Sequence, residues 1–420
     1  ANTTAANNTA VGQNALFSNT TGTTNVAVGS GALDANTTAN NNTAVGFDAL
    51  GANTTGDKNT SVGANSLDAN TTGRLNTAMG QDALSANTTA DNNTAYGQAS
   101  LKANTTGTQN TGVGSSALFV NTTADNNTAV GFVALLSNTT GASNTAVGSS
   151  SLQLNTTGTE NVAVGSSALD ANTTGDFNTA VGHIALSANT TGERNTAIGR
   201  AALNSATGVQ NTAVGFNSLV NATNGNYNTA VGSRALQANS TADYNTAVGT
   251  DALLENTTGT NNVAIGALAL DANTTANGNI AIGYASLGVN TTGADNIVVG
   301  TNALDANTTG GANTAIGRSA LGESTTSSNN TAVGYFALLN NTTGASNVAI
   351  GAFALDANTT ANNNVAVGNS ALGACTTGDQ NTAIGRDTLV ASTVGSQNTA
   401  VGKDALGQTT GSTNTAIGRN

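Results

Sequence analysis

The chain has 420 residues, a formal net charge of −12, 51 glycines, a single cysteine and neither proline nor tryptophan. With 3% aromatic and 8% charged residues it cannot build the broad core of an ordinary globular protein, and it lacks the basic stripe that nucleic acid or an anionic membrane would demand. No window approaches the ~18 apolar residues of a membrane-crossing helix.

From Asn8 onward one phrase of seventeen residues recurs. The copy Asn42-Thr43-Ala44-Val45-Gly46-Phe47-Asp48-Ala49-Leu50-Gly51-Ala52-Asn53-Thr54-Thr55-Gly56-Asp57-Lys58 is representative, and its residues define places 1 to 17. There are 24 complete repeats between Asn8 and Asn414. The period runs without a slip to Arg194. The repeat 195–210 is one residue short in its Asn-Thr-Thr segment, and an irregular turn follows at Ala222-Thr223-Asn224-Gly225. Regularity returns from Asn228 to Asn381, and the final repeats loosen again, 398–413 being one residue short. A fixed short period is the mark of a solenoid or array, and a deletion tolerated in Asn-Thr-Thr marks a turn or strand end.

The repeats act as their own alignment. Place 5 is Gly in all 25 copies, from Gly12 to Gly418, and place 9 is Leu in all 24, from Leu16 to Leu406. Place 2 is Thr or a β-branched apolar residue (Val26, Val162, Val263, Ile280, Ile297, Val348, Val365), and place 4 is Val or Ile except at Met79 and Tyr96. Places 2 and 4 are therefore expected to point inward, with the small residue between them pointing out. All 22 carboxylates and all 10 basic residues fall at places 6, 7, 10, 11, 16 or 17, so those places are expected to face water.

Two short β-type runs, T-A-V and A-L, with Gly or Asn near the corners, leave no room for a 3.6-residue apolar stripe. The expectation is an all-β fold, a parallel β-solenoid or β-roll of about 24 seventeen-residue coils, forming one continuous domain over 1–420. Coils stacked at ~4.8 Å would make a rod of roughly 115 Å. Leu from one sheet would meet Val or Ile from the other in a thin core, each buried Leu contributing on the order of 1.5–3 kcal/mol. The chain starts and stops inside repeats without capping units, which reads as an interior segment of a longer chain.

Few residues invite chemistry. The only histidine, His183, occupies the exposed place 6 and has no nucleophile or orienting partner in the pattern. Cys375 replaces the usual Asn at place 12, where the other substitutes are the small Ala222, Ser324 and Ser392, and reads as a packed thiol. The acidic D-A-N-T-T variants place Asp34, Asp68, Asp170, Asp271, Asp305 and Asp356 at place 10, never in adjacent coils, which argues against calcium. No catalytic residue, cofactor site or metal site is expected, and the chain does not read as an enzyme.

Asn-Thr-Thr fits the N-glycosylation pattern in nearly every repeat, but side chains ~4.8 Å apart suit a hydrogen-bonded Asn ladder better than a glycan on each, leaving only sparse modification open. Ice recognition wants two outward Thr columns, and an inward place 2 denies them. A polymer binder would also keep one exposed face uniform along the rod, whereas places 6, 7, 16 and 17 vary freely.

The strings N-T-A-V-G, N-V-A-I-G and N-I-A-I-G resemble the head repeats of trimeric autotransporter adhesins of the YadA-like type, and similar repeats in phage tail-fibre proteins. The resemblance runs along the whole chain. It implies a left-handed parallel β-roll, often in a homotrimer, that holds a binding tip away from a cell or virion, with Val162 and Val164 as the inward pair and Gly165 as the turn glycine. The expected function is a non-enzymatic structural protein forming an extracellular fibre, stalk or adhesin rod at a cell or virion surface. Its expected partners are copies of itself, as a homotrimer or head-to-tail filament, and host-cell, surface or glycan ligands. The alternative is a ligand-binding solenoid that recognises ice or polysaccharide along one face.

Overall fold

The computed structural model describes residues 4–419, in two compact units that meet in sequence between Val209 and Gln210, within the first shortened repeat. The first unit carries twelve three-residue strands, from β1 (Thr9–Val11) through β11 (Thr179–Val181) to β12 (Thr196–Ile198). The second carries thirteen, from β13 (Thr212–Val214) to β25 (Thr415–Ile417). Each unit is an all-β parallel solenoid with one strand per coil, and no helix occurs among the described residues. Strands pair in register with their copies one coil away: Thr179 faces Thr196, and Val181 faces Ile198.

The expected orientation of the strand is inverted. Place 3, not places 2 and 4, faces the core: Ala27, Ala44, Ala163 and Ala180 are wholly buried, while the flanking residues stay half-exposed or exposed, 40% for Ile198 and 55% for Tyr96. The reason is the width of the coil. A methyl built on Gly112, which stands at place 3, would lie 2.5 Å from Ser100 Oγ and 3.4 Å from Leu101 Cγ, so the interior opposite the strand is already filled by places 8 and 9. Where the small residue changes, its surroundings change with it. Ser61 at place 3 donates its hydroxyl to the carbonyl of Ser66 at place 8, and Ser100 donates to the carbonyl of Gly112. The core is therefore Leu against Ala and Asn, and the Val–Ile contribution expected there lies outside. Val162 and Val164 likewise point outward.

The second expected β run, A-L, is not a strand. Every Leu at place 9 has φ near +50°, as in Leu50 and Leu186, and places 7 and 17 are left-handed as well. The left-handed conformation costs roughly 1–2 kcal/mol for a residue with a side chain. It persists here because the coils above and below over-determine it. Leu50 donates its N–H to the carbonyl of Ser66 one coil on, and Asn53 donates back to Leu50 across the turn. Inter-coil bonding thus continues beyond the strands: Thr54 donates to Thr71, Ala52 to Asp68, and the left-handed Asp48 and Lys58 donate the other way, to Ser30 and Asn40. The leucines lose nearly all their contact with water, and that burial anchors each turn.

Two columns of asparagine complete the interior. At place 12 the expected ladder is present: the Nδ2 of Asn36 donates to Oδ1 of Asn19 at 2.9 Å, and Asn121 does the same to Asn104. At place 1, Asn in all 25 copies, the side chain ties the beginning of a coil to its end. Asn42 Nδ2 donates to the Gly56 carbonyl at 2.9 Å, and Asn42 Oδ1 accepts the N–H of Asn59 in the next coil at 2.8 Å. These amides are fully buried, and they satisfy backbone groups that no strand reaches.

Candidate functional site

With the strand turned inside out, each unit presents an outer face built from places 2 and 4. Successive side chains of a strand alternate across the sheet, so burying place 3 forces its two neighbours outward. In-register pairing aligns them into columns about 4.8 Å from coil to coil, as for Thr229, Thr246 and Val263 in the second unit. One column is Thr, replaced in places by Val or Ile; the other is Val or Ile, with Met79 and Tyr96 in neighbouring coils. No charged residue occupies either column in any repeat. The place 2 hydroxyls of Thr43, Thr145 and Thr331 form no side-chain hydrogen bond within the chain, whereas the place 13 hydroxyls do: Thr54 Oγ1 donates to the Thr71 carbonyl at 3.0 Å.

This is the uniform face that places 6, 7, 16 and 17 do not supply. The edges are heterogeneous: Tyr227 stacks on Tyr244 with rings 4.9 Å apart, Arg194 lies over the Phe177 ring, and Tyr335, Phe336 and Phe353 form a local aromatic cluster. Place 16 is structured too. Asp176 accepts the Thr159 N–H at 2.6 Å and its hydroxyl at 3.0 Å, and Ser328 accepts from Gly311 in the same way.

The residues weighed for chemistry in the sequence lie at other places of the repeat, 6, 10 and 12. His183 is exposed at its edge place. Cys375 is buried with its thiol donating to the Gly378 carbonyl, and burial pushes its pKa up. Among the described residues, no group of three or more His, Cys, Asp or Glu side chains could hold a metal ion.

The six place 10 aspartates are half-buried. Burial, first among the causes, raises the pKa of Asp34, Asp68, Asp170, Asp271, Asp305 and Asp356, with repulsion from Asp48 adding at Asp34. Each is followed one coil later by Gly or Ser at the same place. A Cβ on Gly288 would come within 3.3 Å of Asp271 Oδ1, so the small residue leaves the carboxylate room. A folded pKa above the unfolded one means that the native state binds the proton more readily. Its penalty appears as pH rises through the carboxylate range and vanishes below it. Asp170→Asn is accordingly expected to raise the urea midpoint at neutral pH, with the gain shrinking as the pH is lowered below the unfolded carboxylate pKa. A gain that grew on acidification would contradict this assignment.

The columns at places 1, 2 and 4 are what reading the sequence failed to place. Their signal was present in the invariance of Asn and the tolerance of place 4 for a ring as large as Tyr96. No helix among the described residues is long and apolar enough to cross a membrane. Compared with protein-family models and with curated protein sequences, the chain matches none of them.

Proposed function

We propose that this chain is a non-enzymatic structural protein, a length of extracellular fibre, stalk or adhesin rod, and that it works by packing against copies of itself through the face of places 2 and 4. The observation that carries this reading is the absence of charge from two in-register outward columns of Thr, Val and Ile, while all 32 charged residues crowd the other surface places. A second copy of this chain repeats at the same coil spacing, so its columns match in step along the contact, and methyl groups left half-exposed find partners. A homotrimer closes such a contact without leaving a free face.

The test is the mass in solution of the purified chain, 40.7 kDa per protomer, at several concentrations. A stable multiple is expected, three in the simplest case. Val147→Glu, on the outward column, is expected to weaken assembly at least about tenfold, since it would bury an unpaired charge. Asp176→Ser, at an edge place where Ser328 already supplies the same hydrogen bond, is expected to leave both mass and unfolding unchanged. A wild-type chain that is monomeric at every concentration, or an assembly indifferent to Val147→Glu, would overturn the reading.

The unbonded place 2 hydroxyls support a second reading, recognition of ice or of a regular polysaccharide by the same face. A monomeric chain that adsorbs to ice or to a polysaccharide, and loses that property in Thr145→Lys, would establish it in place of self-association.

A further inference from the structure

We propose that five asparagines at place 17, Asn7, Asn41, Asn92, Asn126 and Asn329, are acceptor sites for N-linked glycosylation of the folded chain. Each begins an Asn-Asn-Thr sequence, with the middle Asn at place 1 and the Thr at place 2 of the next repeat. An N-x-S/T transferase needs the acceptor amide and the Thr hydroxyl together. The fold withholds the amide from the many Asn-Thr-Thr copies and offers amide and hydroxyl together at these five.

In Asn-Thr-Thr the acceptor is the place 12 ladder. Asn121, wholly buried, donates its Nδ2 to Asn104 Oδ1 at 2.9 Å and to the Ala124 carbonyl at 3.1 Å. The hydroxyl that the pattern requires, Thr123 at place 14, is exposed, so it is the buried and doubly bonded amide that closes these copies. Two other exposed sequences of the right pattern fail on the hydroxyl instead. Asn340 donates its amide to the Asp356 carbonyl at 2.8 Å and Thr342 donates its hydroxyl to Thr359, while after Asn221 the Thr223 hydroxyl is bound to the Ser240 carbonyl.

At place 17 the situation reverses. All five asparagines are exposed, sit at a corner with φ between 59° and 63°, and donate no side-chain hydrogen bond. The following place 2 Thr points outward with its hydroxyl unbonded. Crowding, which forbids a glycan on every rung of the ladder, does not arise. In the first unit the four sites are two, three and two coils apart, about 10–14 Å at the inter-strand spacing.

The co-reactant is a nucleotide-activated hexose. The asparagine Nδ2 attacks the anomeric carbon, the N–C bond forms as the C–O bond to the diphosphate breaks, and the nucleoside diphosphate leaves with that electron pair. One amide proton passes to a base on the transferase.

The experiment incubates the purified full chain, and beside it the Val147→Glu chain whose place 2 and 4 face stays open, with UDP-glucose and a soluble asparagine glucosyltransferase, chosen because it modifies a peptide spanning residues 124–130. Intact mass is expected to show up to five added hexoses, and peptide mapping to place them at the five asparagines and not at Asn121, Asn221 or Asn340. Asn126→Gln is expected to remove one hexose without shifting thermal unfolding. A proteolytic digest of the same chain is expected to gain sugar at Asn-Thr-Thr as well. A folded chain that takes no sugar while the peptide does, or one modified at Asn-Thr-Thr as fast as at place 17, overturns the proposal.

Discussion

Gly182→Ala is expected to destabilise the first unit by about 4 kcal/mol or more, and to do so by parting two coils. Gly182 has φ +137°, a conformation that glycine alone enters freely. The added Cβ would stand 2.5 Å from the Gly199 carbonyl oxygen and 2.7 Å from its carbon, one coil away. The obstacle is backbone, so no rotamer change relieves it. Moving Gly199 would stretch the bond from its N–H to the Val181 carbonyl, 2.8 Å long, and the neighbouring bond from Gly182 to Val164. Dihedral strain of order 1–3 kcal/mol then adds to lost inter-coil bonds. Urea unfolding followed by amide exchange from Val181 to Gly199 measures the loss and locates it. Thr179→Val is the comparison, near-neutral because Val162 already holds that outward place in the adjacent coil. A Gly182→Ala chain within 1 kcal/mol of the wild type, on the scale of an ordinary surface change, would show that place 5 does not set the coil spacing.

That glycine was legible in the sequence, and so was most of the architecture. Strict period, invariant Gly and Leu, and charge confined to six places define a parallel solenoid without any homologue, and the strand of a coil such as Thr179–Val181 coincides with the T-A-V string. What misled was hydrophobicity. Val and Ile at place 4 read as core because they are apolar, yet place 4 accepts Tyr96 and Met79 while place 3 accepts nothing larger than Val298. Tolerance of size, not apolar character, distinguishes outside from inside when the interior is one methyl deep. The left-handed Leu could not be read at all. Leucine has no local preference for φ near +50°, and its conformation is imposed by the coils on either side, which a single repeat does not contain. The same limit hid the work of place 1, whose amide joins residues fourteen apart in one coil and seventeen apart in the next.

That amide supports the second large prediction. Asn178 is wholly buried; its Oδ1 accepts the Asn195 N–H at 3.0 Å, and its Nδ2 donates to the Gly192 carbonyl at 2.8 Å. Asn178→Ala leaves the Asn195 N–H without its partner away from water, at roughly 1–3 kcal/mol, and takes from the Gly192 carbonyl one of its two amide donors, Asn189 Nδ2 remaining at 3.0 Å, so a loss of about 2–4 kcal/mol is expected. Asn178→Asp keeps the shape but, when ionised, turns an oxygen toward the Gly192 carbonyl and buries a charge with no cation beside it. Burial raises that carboxyl's pKa in the folded state above its unfolded value. The stability it retains is therefore present below the unfolded pKa and is lost as pH rises through the folded one. Protonated, the acid donates to Gly192 and still accepts from Asn195. Relative to the wild type at each pH, Asn178→Asp is thus expected to regain much of its stability on acidification from about pH 8 to about pH 3, spanning the carboxylate range, while Asn178→Ala stays equally impaired. Urea midpoints for the three chains across that range decide the matter. An aspartate variant as stable as the wild type at neutral pH would mean that water reaches the place 1 column and that the coil is closed by something other than these amides.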